Sequence, residues 1–230
     1  MSAYTMLEKF IQIIIGGTMK VIFLDVDGVL NCARTTTIRE QKELNNEELD
    51  EFYEIQKKFW NIIVSNTNEP LHEEYKNENN FSIILDIDED KVKILGNIIK
   101  LTGAKIVLTS SRRWDWKDGS DKLQTYSHRA LKYLFDKYNI EVIGITPKVP
   151  GGNEKYSSLS WRENEIKKYL IEHPDIESFC IIDDDIDDLM TLKHFLIETS
   201  FGTDIWDDGG LQNEHVEQAV KILKKNNSYK

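Results

Sequence analysis

Residues 20–31 read Lys-Val-Ile-Phe-Leu-Asp-Val-Asp-Gly-Val-Leu-Asn. The apolar run from Val21 to Leu24 predicts a short buried strand, and Gly28 permits a sharp backbone turn after it. Residues two apart on a strand share a face, so Asp25 and Asp27 are expected to point into one site beyond the strand's carboxyl end. Two carboxylates held that close repel unless they share a proton or bind a cation. An acid pair at a strand tip therefore points to metal-assisted chemistry.

Downstream, strand-like and helix-like segments alternate. The pattern predicts helices over 90–102, 124–138, 161–172 and 213–224, with a short one near Leu189. Strands are expected over 105–109, 141–145, 179–182 and 195–199. This is the pattern of an α/β, Rossmann-like parallel sheet of about five strands, helices on both faces and ligands at the strands' carboxyl ends. The 230-residue length fits one such domain over 19–230, preceded by an N-terminal extension at 1–18. Between the first strand and the first helix, residues 32–82 form a polar insertion, expected to act as a small cap or flap. Within it, residues 47–63 have helical spacing and 66–80 read as a loop.

Charge and cysteine content narrow the function. A formal net charge of -11 excludes a broad nucleic-acid-binding face but leaves room for a local grip on one phosphate. Cys32 and Cys180 are the only cysteines, too few for a disulfide framework or a CxxC metal site, so a cytoplasmic setting is expected. The apolar stretch at 10–15 is too short to span a bilayer, and no membrane partner is expected.

Two further strand tips carry polar clusters: Thr109-Ser110-Ser111-Arg112-Arg113 after 105–108, and Asp183-Asp184-Asp185 after 179–182. The ordered set, Asp-x-Asp-Gly-Val, a strand ending Thr-Ser-Ser, a basic residue opening a helix and a strand ending Asp-Asp, resembles the haloacid dehalogenase (HAD) superfamily of phosphohydrolases. The likeness covers roughly 19–223 and is nearest to small-cap members, such as polynucleotide phosphatases and the HAD domains associated with RNA repair.

The resemblance implies a Mg²⁺-dependent phosphatase acting on phosphate monoesters through an aspartyl-phosphate. Asp25 would be the nucleophile and Asp27 the general acid and base. Metal ligands would be Asp25, the backbone oxygen of Asp27 and Asp184, with Asp183 in support. Phosphate would be held by Ser110 with the Ser111 N–H, Thr109 being the alternative one register step away, and by Arg112 through a Ser-x-Arg arrangement. The family's phosphate-gripping lysine has no direct match here. Arg162 at the start of a helix and Lys148 before it are the two candidates. The implied substrate is a phosphorylated small molecule, a nucleotide or a nucleic-acid end.

Two other classes compete. A phospho-accepting receiver also clusters aspartates on a parallel sheet, but its acidic pair and phospho-acceptor lie on a different strand arrangement. A silent phosphate-binding module would tolerate the missing lysine. Several features are set aside. Asp86 and Asp88 imitate the Asp-x-Asp pair but precede a helix without glycine, which favours capping. Trp114 and Trp116 suit either base stacking or lid packing. The five histidines lack metal-ligand spacing, and Asp187 and Asp188 suit a solvated helix start better than an EF-hand.

Overall fold

The computed structural model describes residues 19–35, 87–116, 126–149, 161–203 and 207–225. The N-terminal extension and almost all of the 32–82 insertion, including its expected helix and loop, lie outside these. Strand β1 spans Met19–Leu24, helix α1 Glu89–Thr102, β2 Lys105–Leu108, α2 Tyr126–Lys137 and β3 Val142–Ile145. Then follow α3 at Trp161–Glu172, β4 at Ile176–Asp183, β5 at Leu196–Glu198 and α4 at Asn213–Lys224. Among the described residues the strands make one sheet in the order β3-β2-β1-β4-β5, with every pairing parallel.

Alternation of side chains along the central strands builds two cores. Ile22, Leu24, Ile106, Leu108, Cys180 and Ile182 face α1, α2 and α4. Val21, Phe23, Val107, Phe179 and Ile181 face α3. On that second side Phe23 meets Tyr169 and Phe179 edge to face, with ring centroids 5.7 and 5.8 Å apart. Each large apolar side chain buried this way contributes roughly 1.5–3 kcal/mol, so β1 is anchored from both faces.

Helix α1 starts and stops where its ends are satisfied. Asp88 accepts a hydrogen bond from the Asp90 N–H at 2.9 Å, the capping role expected for it. Gly103 closes the helix in the left-handed conformation, φ 69°, with its N–H bonded to Ile99 O.

Strand β4 begins at Ile176, three residues before the expected 179. Glu177 and Ser178 disguise that start as polar sequence. Ser178 is buried because its hydroxyl donates to Lys225 O at 2.9 Å. The same strand runs on through Asp183, which lies in the sheet instead of after it.

Chain order reverses direction at β1, whose neighbours β2 and β4 lie on opposite sides. Such a reversal opens a crevice at the strands' carboxyl ends. All three polar clusters emerge there.

Candidate active site

The ladder continues past the strands and sets the site's first row. Asp25 N–H bonds to Ile182 O at 3.0 Å, and Thr109 N–H bonds to Leu24 O at 2.9 Å. Asp25, Thr109 and Asp183 therefore stand side by side, on the sheet face that carries α3. Asp25 is 4% exposed, and Thr109 and Asp183 are fully buried. Oxygens from Asp25, Asp183 and Asp184 lie within 4.8 Å of one another.

Arg162, in the first turn of α3, answers this crowding. Its Nη1 lies 2.5 Å from Asp183 Oδ2 and 3.1 Å from Asp25 Oδ2. Burial works against its charge, but the two carboxylates outweigh that and raise its pKa. Burial pushes the Asp183 carboxyl up to about 7, with Arg162 opposing and the Asp25 charge assisting. Burial and the Asp25 charge likewise hold Asp184 above the usual carboxylate range. Three carboxyl groups against one guanidinium gather more acidic oxygen donors than the arginine can serve, an arrangement that suits a hard divalent cation. Asp183 already uses both its oxygens, one on Arg162 and one accepting from Asp185 N–H at 3.0 Å. Asp184 instead lies against Gly28, where a Cβ would sit 2.1 Å from Asp184 Oδ2. Glycine is needed there for contact as well as for its φ of 71°.

Asp27 occupies a different environment. Arg112 grips it with both Nε, 2.9 Å from Oδ2, and Nη2 on Oδ1, while Asn31 Nδ2 donates to Oδ1 at 2.9 Å. Burial would raise the Asp27 pKa, but these hydrogen bonds and the Arg112 charge hold it below the ordinary value.

The hydroxyls divide as well. Ser110 Oγ accepts from Arg112 N–H at 3.2 Å, and its own proton is available to another acceptor. Thr109 Oγ1 is buried without a hydrogen-bond partner, alone in this among the described residues. A hydroxyl left unpartnered one strand over from Asp25 is open to a water or a ligand atom. Ser111 is exposed at the start of the 3₁₀ segment Ser111–Trp116.

Of the residues expected at the site, Asp25, Arg162, Asp183 and Asp184 form one contact set with Thr109 on the neighbouring strand, and Asp27, Arg112 and Ser110 form a second at the same end of the sheet. Lys148 does not join them. It is exposed and makes no ion pair or hydrogen bond among the described residues. Asp187 is also exposed, its N–H bonded to Asp185 Oδ1 at 3.1 Å. Trp116 packs on Phe135 of α2, centroids 5.9 Å apart, so its ring serves the core.

Three contributors were not singled out from sequence. Arg113 is buried, donating to the carbonyls of Thr109, Ser110 and Thr146 and pairing with Glu165 at 2.7 Å. It thereby ties the Thr-Ser-Ser tip to the end of β3 and to α3. Thr199 donates to Gly28 O at 2.7 Å. Asn31 is 1% exposed and holds the turn from within. The wholly polar segment 109–113 hinted at Arg113, since a cation directly after a buried strand has carbonyls within reach. Nothing in the sequence singles out Thr199.

A parallel α/β sheet with an acid cluster at its reversal point and an arginine reaching across it defines a Rossmann-like α/β scaffold with its candidate site at the strands' carboxyl ends. The HAD domain of Swiss Army Knife RNA repair proteins matches residues 21–216, and the chain belongs to that family. No curated protein and no solved structure matches the chain. Among the described residues no helix is long and apolar enough to cross a membrane.

Proposed function

We propose that this chain is a phosphate-monoester hydrolase acting on nucleotides or on the terminal phosphate of a nucleic acid, with Asp25 as its nucleophile. The observation that carries this is the pairing of Asp25 and Arg162 at 3.1 Å inside an acid cluster at the tip of the central strand. Arg162 fixes the Asp25 carboxyl group in place, so a buried oxygen nucleophile is held at the strand tip where a phosphate could meet it.

Asp25 and Asp184 would hold a Mg²⁺ ion, with Asp183 supporting Arg162. When bound, such an ion offsets charge on the phosphoryl oxygens. The remaining work falls to the chain. An Asp25 oxygen attacks phosphorus and the bond to the leaving alkoxide breaks, the alkoxide taking a proton from Asp27. Water then attacks the aspartyl-phosphate, its proton passes to Asp27, and the bond from Asp25 to phosphorus breaks to give inorganic phosphate. Arg112, drawn to the incoming phosphate, releases one side of Asp27 so that it can carry that proton. Ser110 and Thr109 supply hydroxyl donors, and Arg162 bridges nucleophile and phosphate.

Family membership favours a nucleic-acid end as substrate. The net charge of -11 fits recognition of one terminal phosphate in preference to a long backbone track. The test is a hydrolysis screen with nucleotides, sugar phosphates and oligonucleotides phosphorylated at either the 3′ or 5′ end, with and without Mg²⁺. Steady turnover that is lost in Asp25→Asn supports the proposal. A single phosphorylation of the protein without turnover would indicate a receiver, and no reaction with any ester would indicate a binding module.

A further inference from the structure

We propose that Asn31 is the positioning residue of this site, a side chain that fixes the Asp27 carboxylate and the turn beneath it together. The kinetic part of this rests on the hydrolase reading above, whereas the structural part does not.

Asn31 sits four residues after Asp27 and is 1% exposed. Both ends of its amide are used. Oδ1 accepts from the Gly28 N–H at 2.8 Å, and Nδ2 donates to Asp27 Oδ1 at 2.9 Å. The orientation is fixed by chemistry, because a flipped amide would set its NH₂ against an N–H and its oxygen against a carboxylate. Gly28 is held from the other side by Thr199, which donates to its carbonyl at 2.7 Å. The turn is thus pinned at both faces of one peptide-linked glycine, and the Asp27 carboxylate is referenced to that pinned point.

Asp27 has two anchors of different character. Arg112 arrives from the tip of β2, is partly exposed, and carries a charge that a phosphate dianion would compete for. Asn31 belongs to the same turn as Asp27, is buried and is neutral. When Arg112 engages substrate, Asn31 is the anchor that keeps Asp27 aimed. A carboxylate that hands a proton to one oxygen and takes one from another needs that constancy.

Other side chains satisfy only part of this. Alanine would leave the buried Gly28 N–H unpartnered. Aspartate keeps the acceptor for Gly28 but sets a second carboxylate against Asp27 in place of the donor, a repulsion that pushes Asp27 off its mark. Comparing Asn31→Asp with Asn31→Ala therefore separates turn support from carboxylate positioning.

The experiment measures thermal midpoint, kcat and KM on a phosphorylated oligonucleotide, the amount of acid-stable phosphoenzyme, and hydrogen exchange at the Arg112 Nε–H by NMR. We expect Asn31→Asp to lose part of the wild-type midpoint, because its buried carboxylate repels that of Asp27, while the Gly28 turn stays held. Its kcat should fall by about 10²-fold, the lower end of what general acid–base catalysis supplies, with KM little changed. With p-nitrophenyl phosphate, whose leaving group needs no proton, phosphoenzyme should accumulate, because misplacing Asp27 then slows only the step in which water must lose a proton. Asn31→Ala should add a clear drop in midpoint, and in both variants the Arg112 Nε–H should exchange faster than in wild type. A merely structural role would lower burst and turnover in step with the folded fraction, and that result overturns the proposal. Unchanged kcat in Asn31→Asp overturns it as well. Should the wild-type chain hydrolyse no ester, the hydrolase reading fails by itself. The exchange measurement then decides the matter: unaltered Arg112 exchange in both variants refutes the positioning role, and faster exchange sustains it.

Discussion

Arg162 lies across Asp25 and Asp183, with one nitrogen 3.1 Å from the first carboxylate and 2.5 Å from the second. A single guanidinium nitrogen thus serves the nucleophile candidate and the acid beside it, a position that Lys148 does not share, and the proposed phosphate grip is assigned to Arg162 on that ground. Replacing Arg162 by alanine should cost about 3 kcal/mol of stability, the penalty for leaving buried carboxylates uncompensated. It should also cut kcat/KM by about 10²–10³-fold, as for loss of a preorganised electrostatic donor. Arg162→Lys should recover stability better than rate, since an ammonium keeps the charge but lacks the planar guanidinium's further N–H donors for a phosphate. Lys148→Ala should leave both unchanged. Thermal melts and steady-state kinetics on the four proteins check the assignment, and a larger kinetic loss from Lys148→Ala would reverse it.

The acid cluster should respond to divalent metal even without substrate. Asp25, Asp183 and Asp184 set three carboxyl groups against one guanidinium, and only the folded chain gathers them. Mg²⁺ should therefore raise the thermal midpoint, by roughly 2.7 kcal/mol of stabilisation at a hundredfold excess over its dissociation constant. Asp184→Asn should abolish most of that gain, while its midpoint without metal should match or exceed wild type because one repulsive charge is gone. Calorimetry across a Mg²⁺ series reads both effects. Equal Mg²⁺ stabilisation in wild type and Asp184→Asn would remove Asp184 from the metal set.

Thr109 offers a trade between stability and activity. Its hydroxyl is buried with no partner, so the folded chain bears a desolvation cost that valine, of nearly the same shape, would remove. Thr109→Val should gain about 1 kcal/mol and, on the proposed reading in which the hydroxyl donates to the substrate, lose turnover. Ser110→Ala should behave differently, losing activity with no stability gain because its oxygen already accepts from Arg112 N–H. Paired urea denaturation and kinetics distinguish the two. A stabilised Thr109→Val with full activity would show that the hydroxyl serves no substrate.

The fold was largely legible because its signals are local and repetitive. Val21 to Leu24, Lys105 to Leu108 and Phe179 to Ile182 are apolar runs with polar tips, and helices α3 and α4 fall on the expected residues. The acids were legible for the same reason, since Asp25 and Asp183 simply follow or end those runs. What stayed hidden depends on partners distant in sequence. Arg113 looks like a surface charge until Glu165, 52 residues away, is folded against it. Thr199 lies 171 residues from the Gly28 carbonyl it holds. Asn31 was in plain view, yet its value comes from the geometry of the turn, which no periodicity records. That Arg112 grips Asp27 was equally unreadable, although each residue was singled out separately.

Helix α4 carries a pH-dependent cap. Gln212 N–H donates to His215 Nδ1 at 2.9 Å, so this nitrogen must be unprotonated for the cap to form. Burial lowers the imidazole pKa below 6.5, with Glu214 opposing and the Lys91 charge assisting. In the unfolded chain His215 takes up a proton near pH 6.5, whereas in the folded chain it resists until lower pH. Stability from this group is therefore fully present above about pH 7 and falls as pH drops through 6.5 toward the folded value, each unit of separation being worth about 1.4 kcal/mol. His215→Gln keeps an acceptor for the cap and does not titrate in this range. Urea denaturation between pH 5 and 8 should give wild type a steeper loss on the acid side than His215→Gln, with the two converging above pH 7. Parallel curves across the whole range would mean that His215 is protonated equally in both states, and the cap would then have to be held by another acceptor.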